Sequence, residues 1–255
     1  MKIAVCCKFA PDAEDVRVAD DGSVDVSKAK WSVSDYDMQA IQAASDLGGE
    51  LGAEVVALTA GPAKIDQSRL TKDLMSRGNL SALFRVVDDA TAGADALQTA
   101  RLLCGLVNKV EADVVVCGEG SADRYQRITG PAMASILGWP CVNAVDAMHA
   151  EDKTIVVERD LEDGVEVVEL SAPCVIATTS TINKPSIPTL KDVLAAGKKP
   201  VETFSASDLG MGGAAIEEVG TAAPEQPGRQ KTMISGSPEE IAAQLVEKLT
   251  NDGVL

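Results

Sequence analysis

The chain has 255 residues, room for one large α/β domain or one domain plus an arm, and its 45% apolar content argues against disorder throughout. Aromatic residues are only 3%, so the core must be built from Val, Ile, Leu and Ala, and base-stacking platforms for nucleic acid are disfavoured. A net charge of −16 argues against a nucleic-acid or anionic-membrane surface.

Lys2–Cys7 is the first predicted strand. It follows Met1 directly, without the apolar core and cleavage site of a signal peptide, so a cytoplasmic protein is expected. No apolar run reaches the roughly 18 residues of a membrane helix. Residues 9–30 carry Pro11, Asp20-Asp21-Gly22 and few apolar side chains, which predicts a long loop with room for a hairpin at Gly22. A helix follows, with Met38, Ile41, Ala44 and Leu47 at helical spacing, Ser34 or Asp35 as its cap and Gly48-Gly49 near its end. Val55–Leu58 is a buried strand closing in Thr59-Ala60-Gly61-Pro62. A helix over Ile65–Arg77 stops at Gly78-Asn79, and Leu83–Val87 is the third strand. Asp95–Val110 is a long helix with an apolar stripe through Leu97, Ala100, Leu103, Cys104 and Val107.

Val114–Cys117 is β-branched and apolar on both faces, as in a buried parallel strand. It ends abruptly in Gly118-Glu-Gly120-Ser-Ala-Asp123-Arg-Tyr-Gln126-Arg127-Ile-Thr129-Gly130-Pro131, followed by a helical pattern over Ala132–Leu137. In open α/β sheets ligands bind beyond the carboxyl ends of such strands, and glycines and helix starts admit phosphate. These residues alone leave two readings open, a nucleotide seat or an ordinary βα loop. Asp123 with Gln126 suggests a capping box, and Thr129-Gly130-Pro131 is a competing helix start.

Pro140–Val145 reads as a further short strand, and the alternation up to here predicts a mostly parallel sheet with helices on both faces. Thr154–Glu158 and Val165–Leu170 flank Asp163-Gly164 as a β-hairpin, and Cys174–Thr179 is another strand. After Pro200 the periodicity fades. Gly210–Gly228, rich in Gly, Ala and Pro, reads as an extended arm, and Ser237-Pro238 opens a terminal helix striped by Ile241, Leu245 and Leu249. Six cysteines without a C-x-x-C spacing read as buried reduced thiols. One histidine, His149, reads as a surface residue and gives no support to a catalytic triad or a histidine-rich metal site.

The stretch Val157-Glu-Arg159-Asp-Leu-Glu162-Asp163-Gly164-Val-Glu166, continuing through Pro173-Cys-Val175-Ile176-Ala177, resembles the electron-transfer flavoprotein β subunit. Lys2-Ile-Ala-Val-Cys-Cys-Lys8-Phe-Ala-Pro11-Asp12, Ser34-Asp35-Tyr36-Asp37, Ala60-Gly61-Pro62 and Asn183–Leu190 with Lys198-Lys199 extend the likeness over nearly the whole chain. Cys117–Tyr125 and Ser180–Asn183 are most similar to the Fix-type branch.

The resemblance implies a Rossmann-like nucleotide-binding domain over residues 1–200 and a carboxyl-terminal arm over 201–255 docking on an α subunit. It implies a heterodimer that carries electrons between flavin dehydrogenases or reductases and other redox partners, with acyl-CoA chemistry by analogy. FAD would sit mainly on the α subunit, and AMP or a second FAD in the β subunit. The implied cofactor seat maps onto Cys6, Ser34, Asp35, Tyr36, Asp37, Ala60, Gly118, Gly120, Ser121, Asp123, Arg124, Arg127, Ile128 and Thr129. Tyr36 would lie near the α-subunit flavin. Gly120, Arg127 and Ile128 depart from the family's usual loop, with Arg124 or Arg127 offering a cation in place of a lost amide. The implied partner-docking residues are Ile187, Leu190, Lys191, Lys198 and Lys199, an apolar anchor ringed by cations. The reading from another class is a nucleotide-binding regulatory or stress-type domain without redox work.

Overall fold

In the computed structural model, which describes residues 1–210, 216, 219–224, 228 and 231–255, the sheet is built outward from the first strand. Strand β1 (Lys2–Cys6) has Ile3, Ala4 and Val5 fully buried, so it needs cover on both faces. The expected long loop instead holds β2 (Phe9–Pro11), β3 (Arg17–Val18) and β4 (Val24–Asp25), with β5 (Trp31–Val33) just beyond it. β3 and β4 form the hairpin anticipated at Gly22, whose φ of +80° suits glycine, while β2 pairs antiparallel with β5. Strands of two or three residues are too short to show a period.

Helix α1 (Asp35–Leu51) buries Ile41, Ala44 and Leu47 as its spacing predicts. It runs through Gly48 and ends only at Gly52, which is left-handed. Gly48 has a different purpose: a Cβ there would lie 2.5 Å from Val55 Cγ2 of β6 (Glu54–Gly61), so glycine lets the helix press onto the sheet. The helix expected over 65–77 is a 3-10 turn at Ala63–Ile65 and then α2 (Ser68–Met75), because the backbone turns extended at Gln67. Next come β7 (Ala82–Val87), α3 (Ala96–Val110), β8 (Val114–Gly118) and α4 (Thr129–Leu137).

β9 (Cys141–Glu151) is longer than expected. Ala144 is left-handed, and beyond Val145 the strand leaves its parallel neighbour and pairs with β10 (Thr154–Leu161). Its second half is only half-buried, so no apolar run marks it. β10 and β11 (Gly164–Leu170) form the expected hairpin, and β12 (Cys174–Thr178) the expected buried strand. After α5 (Leu190–Ala196) comes β13 (Val201–Phe204), which sequence periodicity misses because this edge strand is largely exposed. It pairs in parallel with β7 and carries the sheet past residue 200. The arm expected over Gly210–Gly228 lies in large part outside the described residues. The terminal helix α6 (Pro238–Asn251) has the expected cap, Ser237 with Glu240, and buries none of its residues.

Among the described residues nine strands make one sheet, ordered β11-β10-β9-β12-β8-β1-β6-β7-β13. Strands β9 through β13 in that order are parallel, and the β10–β11 hairpin is antiparallel. The architecture is the expected Rossmann-like α/β fold. α1, α2 and α5 pack on one face, α3 and α4 on the other. The chain leaves β1 through α1 toward β6 and β7, then returns through α3 to β8 on the other side of β1. That reversal opens a crevice at the carboxyl ends of β1 and β8. Among the described residues no helix is long and apolar enough to cross a membrane.

Candidate functional site

The crevice is a cavity of about 280 Å³. Its floor is the end of β1 and β8, where Cys6 and Cys117 stand in register and both are buried. Burial pushes both thiols well above their ordinary range, which makes them inert wall atoms and poor nucleophiles. All six cysteines are free, as expected, and only Cys141 is less than fully buried.

Gly118 ends β8 directly against the first turn of α1. A Cβ there would lie 2.9 Å from both Asp37 Oδ1 and Tyr36 Cβ. Ser34 sits at the N-cap position of α1 but makes no side-chain cap; its hydroxyl accepts from the Ala122 N–H at 3.3 Å and ties the loop to the helix. Asp37 is 5% exposed, and its Oδ2 accepts the Lys8 N–H at 2.6 Å. Desolvation raises this carboxyl from 3.8 to about 7, against the pull of N–H donors from Lys8 and Gly118 and the charge of Lys8.

Asp123 does not cap a helix with Gln126. It accepts from Lys8 Nζ at 2.6 Å, Ser121 Oγ at 2.7 Å and the Arg124 N–H at 2.9 Å. Burial opposes its charge, but the Lys8 and Ser121 hydrogen bonds and the lysine's charge hold it below the usual carboxylate value. The helix starts instead at Thr129, the competing position, because Pro131 fits only near a helix start.

Between these points the loop folds back on itself. Tyr125 and Arg127 are both left-handed, with φ of 44° and 57°. Arg127 Nη2 donates to Glu119 Oε2 at 2.6 Å, and the Tyr125 hydroxyl donates to Glu119 Oε1 at 3.2 Å. The guanidinium lies 5.6 Å from the Tyr125 ring centroid, and that ring is 5.2 Å from Tyr36. The ring rests on Gly120, where a Cβ would approach it to 2.3 Å. Gly120 is therefore the necessary partner of Tyr125.

Of the residues singled out in the sequence, Cys6, Asp37, Ala60, Gly118, Gly120, Ser121, Asp123, Arg124, Arg127, Ile128 and Thr129 line the cavity. Ser34, Asp35 and Tyr36 do not; Ser34 and Tyr36 touch the loop from behind, at Ala122 and Tyr125, and Asp35 is exposed. Sequence reasoning missed Lys8, Phe9, Trp31, Leu102, Leu103 and the loop Thr91–Ala94, all of which line it. The small residues of that loop, Thr91-Ala-Gly93-Ala, follow a strand end just as Ala60-Gly61 do, and were the available signal. Trp31 Nε1 is buried without a hydrogen-bond partner. The cavity thus has apolar walls, a cation-bearing loop and no activated nucleophile. Among the described residues no cluster of three or more His, Cys, Asp or Glu is placed to hold a metal.

The residues singled out for docking form a separate surface. Asn183 Nδ2 donates to the Gln39 carbonyl at 3.0 Å and Ser186 Oγ to Gln42 Oε1 at 2.8 Å, fixing the segment to α1. Thr189 and Asp192 cap α5. Ile187 is 90% and Leu190 75% exposed, beside the exposed Lys191 and Lys198. Lys199 turns inward: its Nζ donates to the Met75 carbonyl at 2.8 Å, at the end of α2, and burial lowers its pKa.

The pattern that defines the electron transfer flavoprotein domain matches residues 21–209. It takes in the chain from β4 to β13 and every cavity loop except that of Cys6–Phe9. Its members are FAD proteins that work with other redox proteins. With that match over most of its length, the chain belongs to the electron transfer flavoprotein domain family.

Proposed function

We propose that this chain is the β subunit of a heterodimeric electron-transfer flavoprotein of the Fix-type branch. Its nucleotide-binding domain, expected over residues 1–200, would run on through β13, and the residues after it would be the arm that docks on the α subunit. The cavity carries this reading. It lies at the sheet's switch point, offers Phe9 and Leu102 as apolar walls for a base, and places Lys8 and Arg127 where a phosphate needs cations. At about 280 Å³ it lies just below the roughly 300–1,000 Å³ usual for small-molecule sites, which favours AMP over a second FAD.

The redox FAD, held mainly by the α subunit, supplies the electron chemistry when bound. This chain supplies position and surroundings. Tyr36 and Tyr125 pack together outside the cavity lining, a place suited to an aromatic wall beside that flavin. Helix α6 leaves Ile241 and Leu245 exposed, as a helix that docks elsewhere would. Ile187 and Leu190, with Lys191 and Lys198 beside them, suit a transient and electrostatically steered encounter with a flavin dehydrogenase or reductase.

The test is coexpression with an α-subunit partner, followed by counting FAD and AMP per heterodimer. One FAD and one AMP are expected. Two FAD would replace AMP with a second flavin. One FAD without AMP would refute the nucleotide seat. A colourless, self-associating protein that binds ATP alone would refute the redox role.

A further inference from the structure

Two of the cations that line this cavity are answered from within. Lys8 is paired with Asp123 and Arg127 with Glu119, each at 2.6 Å. The two pairs differ in kind. Asp123 also accepts the Arg124 backbone N–H and the Ser121 hydroxyl, so it is part of the loop's scaffold. Among the described residues the Glu119 carboxylate accepts only from two side chains of its own loop, the Tyr125 hydroxyl and the Arg127 guanidinium. Its side chain is 10% exposed while that of Arg127 is 49% exposed, so the glutamate is enclosed and the arginine has open space beside it. The backbone of Glu119 is fixed separately, its N–H donating to the Thr178 carbonyl at 2.9 Å.

We propose that Glu119 is an internal stand-in for a ligand phosphate, holding Arg127 so that a nucleotide must take the guanidinium from it. This rests on the nucleotide reading of the cavity given above. Glu119 and Arg127 both line that cavity, so carboxylate and phosphate compete for one cation at one place. The two left-handed residues, Tyr125 and Arg127, bend the loop so that the guanidinium comes back to Glu119. L side chains resist that backbone region, so the loop has relaxed alternatives once the pair opens. Glu119 thereby sets the affinity threshold: a ligand with a dianionic phosphate displaces it, and an uncharged nucleoside does not. Gly120 completes the device, because any larger residue would lift Tyr125 off the loop and loosen the guanidinium stacked near it.

The test uses the full-length chain, AMP and adenosine as probes, and calorimetric titration. Glu119→Gln keeps an acceptor for the Tyr125 hydroxyl, keeps the backbone bond to Thr178 and removes the charge. It is expected to bind AMP about tenfold more tightly than wild type, the scale of one charge-assisted hydrogen bond released to the ligand. Adenosine affinity should be unchanged. The gain should vanish in an Arg127→Met background, since without the arginine there is nothing to release. A thermal melt of each variant confirms that it is folded. Equal or weaker AMP binding by Glu119→Gln, or a gain that persists in the Arg127→Met background, overturns the proposal and leaves the nucleotide reading standing. If neither wild type nor Glu119→Gln binds AMP, both fall together. If only Glu119→Gln binds, the stand-in is confirmed in its strongest form.

Discussion

Replacing Asp37 by Asn separates a charge cost from the fold that bears it. Asp37 is 5% exposed at the base of the cavity, and its pKa is raised from 3.8 to about 7, chiefly by desolvation. A raised folded-state value means the folded protein holds the proton more tightly than the unfolded chain. The protein therefore binds more protons folded than unfolded between about pH 4 and pH 7, and stability falls as pH rises through that window. At about 1.4 kcal/mol per pH unit, the loss contributed by this one group is about 4 kcal/mol, complete above about pH 7. Asn carries no charge and escapes it. Denaturant unfolding of wild type and Asp37→Asn from pH 4 to pH 9 is the assay, and the difference between the two curves is the readout, since every other titrating group cancels in it. Near pH 4 the two proteins should differ only by hydrogen bonding. At that pH the carboxyl is protonated and, like the Asn amide, offers one carbonyl oxygen to the Lys8 and Gly118 N–H groups, so the difference should be small. As pH rises the difference should move in the variant's favour and level off above neutrality. Parallel pH profiles would refute the reasoning, because they would mean that Asp37 is solvated in the folded state.

Other perturbations probe other parts of the molecule. Leu190→Ala should slow electron transfer with a partner dehydrogenase by roughly tenfold while flavin content stays the same, as measured by steady-state transfer and absorbance; unchanged rates would remove Leu190 from the docking surface. Gly118→Ala puts a methyl 2.9 Å from Asp37 Oδ1 and Tyr36 Cβ, and should cost about 1–3 kcal/mol in a thermal or denaturant melt while weakening AMP retention. The chain has two tryptophans, so in a Trp139→Phe variant Trp31 reports alone. Its emission should change saturably as AMP is added, and an unresponsive signal would place the ligand away from the Trp31 wall.

The sheet was legible wherever burial was two-sided. β1, β7, β8 and β12 are apolar runs that fall within a residue of their expected places, and β6 runs three residues past its expected end at Leu58. Where burial is partial the signal fades: β13 is exposed at the edge, and the second half of β9 is half-buried beside a hairpin. The site was legible in its glycines and strand ends, because Gly118 and Ala60 mark where the backbone must be open. Its charges were harder to read. Nothing in the spacing of Lys8 and Asp123, separated by 115 positions, announces a 2.6 Å ion pair. The reversal of the loop depends on left-handed backbone at Tyr125 and Arg127, residues with no preference for it, so the capping box suggested by Asp123 and Gln126 was a local signal that tertiary contacts overrode. The partner of Gly120 was likewise invisible until the Tyr125 ring was seen resting on it.

The position of β1 also governs how the chain can fold. The first strand is paired on one side with residues 54–58 and on the other with residues 114–117, and β8 in turn waits for residues 174–178. No half of the sheet closes from local contacts alone, so loop-closure entropy must be met before the pairings reward it. On a ribosome, β1 emerges first and has no β8 beside it until more than a hundred further residues have followed. Refolding should accordingly be slow for a protein of this size, and truncation before β12 should leave β8 as an unprotected apolar edge, prone to aggregation.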